Sequence, residues 1–135
     1  MVIFKPYTNW DEIQSIFEWG CKKALMKSYE IDWYGKAIQD KSLITLICYN
    51  NDKPIGFISL NKIDYCGMPI LYIHLIVSCN GYKNILLQKW EFVKVFAKGI
   101  GCKEIRCMTK RIGGIRYYKK FGLKPVSTEL STEVI

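Results

Sequence analysis

The chain is short of histidine and proline: 135 residues contain one His and four Pro, and no two of its six cysteines stand two residues apart. Finger-type metal sites need Cys and His clustered at short spacing, so no structural zinc is expected. Cys21, Cys48, Cys66, Cys79, Cys102 and Cys107 are read as reduced thiols. Long apolar runs are missing too. The longest, Ile70 to Val77, is interrupted by His74 and falls well short of the roughly 18–20 apolar residues that a membrane span requires. Met1 to Pro6 carries Lys5 but neither an extended apolar segment nor a small-residue cleavage site, which predicts a cytoplasmic location. No low-complexity tract occurs. With 50% hydrophobic and 14% aromatic residues, the chain can bury one core, and a single domain spanning 1–135 is expected.

Acidic residues are scarce after the midpoint. Residues 1–75 hold eight Lys/Arg and eight Asp/Glu, whereas residues 76–135 hold twelve Lys/Arg and four Glu, so the net charge of +8 arises in the second part. Such a surface suits an anionic ligand or partner, or serves as a solvated face.

The pattern along the chain alternates strands and helices. Met1 to Tyr7 reads as a strand, and Thr8 or Asn9 caps a helix with Asp11 or Glu12 three residues on. That helix carries Ile13, Ile16, Phe17, Cys21, Ala24 and Leu25 on one face. Tyr29 to Gln39 fits either a second short helix or a connection. Ser42 to Tyr49 and Pro54 to Asn61 flank the turn residues Asn50 to Lys53 and predict a hairpin. Cys66 to Pro69 marks a second turn. Ile70 to Val77 is apolar enough for a central strand buried on both faces. A helix from Asn84 or Ile85 to Lys98, a strand from Lys103 to Thr109, a helix from Gly113 to Phe121 and a strand from Lys124 to Leu130 complete the order. Strand, helix, strand in sequence implies a parallel pair within a mixed sheet.

That order, with the tail Ile115-Arg116-Tyr117-Tyr118-Lys119-Lys120-Phe121-Gly122-Leu123, resembles the GNAT superfamily of acyl-CoA-dependent N-acetyltransferases over nearly the whole chain. Tyr118, Lys120, Gly122 and Leu123 match the family's last helix and its exit. Asp52-Lys53-Pro54-Ile55-Gly56-Phe57 looks like its second hairpin. The resemblance implies an α/β fold with a mixed, mostly antiparallel sheet, a splayed parallel central pair and helices on both faces. It implies acetyl-CoA as co-substrate and an amine as acceptor. The backbone of Leu75, Ile76 and Val77 would pair with the pantetheine arm. Gly81 and the amides of Tyr82, Lys83, Asn84 and Ile85 would form the pyrophosphate nest. Here the sequence departs from the family's Arg/Gln-x-x-Gly-x-Gly/Ala loop, because Ser78-Cys79-Asn80-Gly81-Tyr82-Lys83-Asn84 has one glycine.

For the chemistry, Tyr118 matches the family's proton donor to the departing thiolate; the alternative is that it only packs the last helix on the sheet. The base is less evident. Positions in phase with Val77 are Ile73 and Leu71, both inert. His74 is the only ionisable side chain in the apolar interior of that strand, and simple alternation turns it, with Tyr72, to the other face. A bulge that shifts the register would bring it to the cleft. A buried structural histidine is the competing reading. Trp33 and Tyr34 are candidates to line an acceptor cleft, while Trp90 fits the core stripe. Arg111 stands where the family often has asparagine.

Lys103 to Lys124 hold eight Lys/Arg and one Glu with Tyr117, Tyr118 and Phe121 between them. An acidic protein partner fits this stretch; nucleic acid is less favoured, since no helix-turn-helix or RNA-binding signature occurs. The functional alternative is a catalytically inactive protein of the same fold used for binding or assembly, such as a phage internal-virion component, which would place it in a virion.

Overall fold

The computed structural model describes residues 2–78, 90–108, 116 and 118–134. Strand β1 (Val2–Pro6) leads through a 3-10 turn (Trp10–Glu12) into helices α1 (Gln14–Lys23) and α2 (Ser28–Gln39). Strands β2 (Ile44–Asn50), β3 (Lys53–Tyr65) and β4 (Met68–Ser78) follow, then helix α3 (Trp90–Gly99) and strand β5 (Glu104–Cys107). The five strands form one sheet in the order β1-β2-β3-β4-β5. All neighbours run antiparallel except β4 and β5, which are parallel.

Local chemistry accounts for the two hairpins. Asn51 and Asp52 both take positive φ, 50° and 69°, a conformation these short polar side chains tolerate. Two consecutive left-handed residues give the tight turn whose twist matches that of paired strands. Cys66 and Gly67 repeat the arrangement at φ 53° and 87°, and the Gly67 N–H donates to Asp64 Oδ1 at 2.7 Å.

The sheet is covered on both faces. Ile13, Phe17 and Cys21 of the first helical region and Ala37 and Ile38 of α2 pack with Ile47, Phe57 and Val77. Val93 and Ala97 of α3 pack on the opposite face with Leu46, Ile58, Leu60, Leu71 and Ile73. Each fully buried aliphatic or phenyl side chain here contributes about 2 kcal/mol. Burial, helped by Glu18, pushes the Cys21 thiol up to about 11, so it acts as a small apolar side chain. Tyr29 to Gln39 proves to be helical, within α2, and Glu30 reaches back to accept from the Lys27 N–H at 3.2 Å.

Several expectations change. The Asn9 side chain accepts from the Asp11 N–H at 3.0 Å, but it caps the 3-10 turn rather than α1. Helix α1 ends at Lys23; Leu25 turns out at φ 53° and is 86% exposed, so it is not part of the buried stripe. The start of the helix predicted from Asn84 lies outside the described residues, as do Gly113 to Ile115. Arg116, Tyr118 and Lys119 are helical, and the Gly122 N–H bonds to the Lys119 carbonyl at 3.0 Å with Gly122 at φ 84°. The strand predicted at Lys124 to Leu130 does not form. Pro125 lacks a ladder donor, and Val126 and Leu130 are exposed amid polar neighbours, so no face is available to bury. Of the strand expected at Lys103 to Thr109, Glu104–Cys107 forms, while Lys103 and Met108 do not join it and Thr109 lies outside the described residues.

Candidate functional site

The site begins where β4 outlasts its parallel neighbour. Pairing with β5 runs only from Ile70↔Glu104 to Ile73↔Cys107, whereas pairing with β3 continues to Gly56↔Ser78. Among the described residues, no strand therefore lies on the β5 side of residues 74–78. Leu75, Ile76 and Val77 fall in this overhang. Its position is held by two glycines. A Cβ on Gly56 would come within 2.3 Å of the Val77 carbonyl oxygen, and one on Gly20 within 2.8 Å of the Val77 methyls. Val77 is thus clamped between β3 and α1.

At the root of the overhang the register shifts. Ser59 pairs with Leu75 and Leu60 with Ile73, so two neighbouring residues of β3 span three of β4 and His74 is the extra residue. The sense of alternation inverts there. Leu71 and Ile73 belong to the α3 layer, Leu75 and Val77 to the α1–α2 layer. The bulge therefore puts His74 and Tyr72 in the same layer as Val77, which simple alternation would not. It also overturns the expectation of β4 as buried throughout: Tyr72, His74, Leu75 and Ile76 are only partly buried, and among the described residues β5 pairs with β4 only as far as Ile73.

His74 meets three rings. Tyr72, Tyr34 and Trp33 lie at centroid distances of 4.8, 5.8 and 6.3 Å, and Trp33 meets Tyr34 edge-on at 5.0 Å. Helix α2 supplies Trp33 and Tyr34 because its core-facing residues, Ala37 and Ile38, set the helix against the sheet. The imidazole Nε2 lies 2.9 Å from Asn61 Oδ1 on β3. With that oxygen as acceptor, Nε2 carries the proton and Nδ1 keeps its lone pair. Burial lowers the His74 pKa from 6.5, which keeps the ring neutral near pH 7. Burial, then Tyr34, Cys107 and Glu129, raise the Tyr72 pKa.

Tyr118 occupies different surroundings. It packs on Phe121 at 6.3 Å, and Phe121 packs on Trp90 of α3 at 4.8 Å. The two catalytic candidates thus belong to different layers. Gly81, Tyr82, Lys83, Asn84, Ile85 and Arg111 lie outside the described residues. Among the described residues, no three of His, Cys, Asp and Glu converge where a metal ion could sit, and no helix is long and apolar enough to cross a membrane. An open cavity of about 330 Å³ between Trp90, Lys98, Lys103 and Phe121 abuts Glu104, the end of β5 opposite the overhang, and is a separate feature. Sequence reasoning missed Asn61 and Tyr72. A polar Asn closing an otherwise apolar strand run was the available signal for the first; Tyr72 reads as an ordinary strand residue.

No protein-family model matches the chain, and no curated protein matches it in sequence. Solved structures do. A possible acetyltransferase from Clostridium difficile superposes with TM-score 0.76 at 14% identity, covering 100% of this chain and 99% of that one. Glucosamine-6-phosphate N-acetyltransferase from Arabidopsis thaliana gives 0.69 at 15%, covering 98% of each. A transcriptional regulator from Bacillus halodurans gives 0.72 at 17%, covering 99% and 100%. At such identities the likeness carries architecture and not activity. The five-stranded mixed sheet, its parallel β4–β5 pair and these superpositions together show that the chain has the GNAT fold.

Proposed function

We propose that the protein is an acyl-CoA-dependent N-acyltransferase acting on a primary amine. The observation that carries this reading is the placement of the His74 imidazole at the register shift from which, among the described residues, β4 runs on without β5. Among the described residues, β4 has no strand partner on its β5 side over 74–78, an arrangement that suits the amide-bearing arm of acetyl-CoA. When bound, it supplies a thioester carbonyl open to attack by an amine.

The chain's own residues then have distinct tasks. The backbone of Leu75, Ile76 and Val77 holds the arm by strand-like hydrogen bonds. Gly81 and the amides of Tyr82, Lys83, Asn84 and Ile85 are assigned to the pyrophosphate, with the Lys83 charge adding to the nest. His74 Nδ1 accepts the proton that the amine sheds as its nitrogen bonds to the acyl carbon. Tyr118 gives a proton to the departing sulfur, since an ordinary phenol is protonated at neutral pH, and solvent water returns a proton to the phenolate afterwards.

Calorimetry with acetyl-CoA tests the reading first. A dissociation constant no weaker than about 1 mM is expected, equivalent to roughly 4 kcal/mol, and thiol release on adding amines should fall about 100-fold in His74→Ala. Silence at millimolar acetyl-CoA with folded protein would favour the second reading, a binding or assembly protein of this fold, in a virion or elsewhere. The lone glycine in Ser78 to Asn84 supports that alternative, as does the basic stretch Lys103 to Lys124, which suits an acidic protein partner better than nucleic acid.

A further inference from the structure

The rings around His74 carry more information than a base requires. Trp33 is 57% exposed although it touches both Tyr34 and His74. An indole in that position has part of its surface committed to the cluster and more than half left to a ligand. Tyr34 and Tyr72 complete a wall whose other polar member is Asn61, bonded to the imidazole. Among the described residues, burial is the cause of the lowered His74 pKa. The carboxylate coupled to the wall is Glu129, acting on Tyr72.

Charge then discriminates among amines. A polyamine or a lysine-rich tail needs several carboxylates in contact and must approach a chain of net charge +8, which repels it. A single ammonium is held well enough by ring faces. A flat aromatic body gains more from this wall than an alkyl chain does, because offset and edge-on ring pairs add to simple burial. We propose that Trp33, Tyr34 and Tyr72 form the acceptor wall of the site and select an arylalkyl monoamine, its ring against Trp33 and its nitrogen at His74. This assignment rests on the acyl-transfer reading for its chemistry, though not for its binding.

The test uses the full chain with 2-phenylethylamine, n-butylamine and spermidine. The chain has one histidine, so the imidazole resonances report on the site without assignment work. Phenylethylamine should shift them and bind about tenfold more tightly than butylamine, with spermidine weakest. Trp33→Ala should abolish the ring preference and Trp33→Phe retain most of it, both at an exposed position where folding is not at stake. Equal or tighter binding of butylamine or spermidine, or a preference that survives Trp33→Ala, overturns the proposal. If the preference holds while none of the three amines releases thiol from acetyl-CoA, the wall stands and acyl transfer falls, so the two failures are distinct.

Discussion

Asn61 Oδ1 and His74 Nε2, thirteen residues apart in sequence, meet at 2.9 Å across the β3–β4 pair, beside the point where its register slips. The bond does two things at once. It satisfies one nitrogen of a half-buried imidazole, and it directs the ring's remaining lone pair away from β3. Neither residue has this role without the bulge.

Stability should report on the single histidine. Its folded pKa lies below the ordinary 6.5 because burial disfavours the imidazolium. Below about pH 6.5 the unfolded chain binds a proton that the folded chain resists. The His74 contribution is therefore complete above that value and is lost as pH falls towards the folded pKa. Glu12 and Asp40, whose pKa values are lowered chiefly by Tyr49 and Ser42 respectively, lose theirs only in the carboxylate range further down. Urea midpoints between about pH 7 and pH 5 should decline in the native chain and less in His74→Gln; identical slopes would contradict this.

A carboxylate at position 61 would stabilise the imidazolium directly. Asn61→Asp should raise the His74 pKa, seen as an upward move of the imidazole NMR titration and of the acid limb of kcat/KM. Asn61→Leu should leave the limb low while reducing turnover. A limb that ignores Asn61→Asp would remove Asn61 from the site.

The Gly20–Val77 contact is a steric one. Gly20→Ala brings a methyl to 2.8 Å from both Val77 methyls and should cost about 1–3 kcal/mol. Combined with Val77→Ala, which opens the space, the loss should be smaller than the sum of the single variants. Additive denaturation midpoints would show that α1 does not clamp β4 there.

Tyr118→Phe separates proton donation from packing. The ring contact with Phe121 at 6.3 Å survives the change, so the variant should remain folded. Turnover should fall about 100-fold with acetyl-CoA affinity retained. Unchanged turnover would leave Tyr118 as a packing residue.

Much of this architecture is legible locally. Asn51-Asp52 and Cys66-Gly67 make their turns from their own backbone preferences, and Ile13, Phe17 and Cys21 repeat at the period of a helix lying on a sheet. Such features depend on neighbours in sequence, so a pattern finds them. The failures share a cause as well. Lys124 to Leu130 looks like a strand only if a buried face awaits it, and Val126 and Leu130 stay exposed.

The site divides along the same line. The sequence by itself determined that the one imidazole of the chain, His74, sits in the apolar run from Ile70 to Val77, and that Trp33 and Tyr34 are chain neighbours; whether they stand on a helix it leaves open. Strand alternation is a two-state pattern, and a single extra residue inverts everything beyond it. Which state holds depends on how β3 pairs with β4 at Ser59 and Leu60, an interaction between segments that no local preference encodes. Only the tertiary structure decided that His74 faces Trp33, Tyr34 and Asn61.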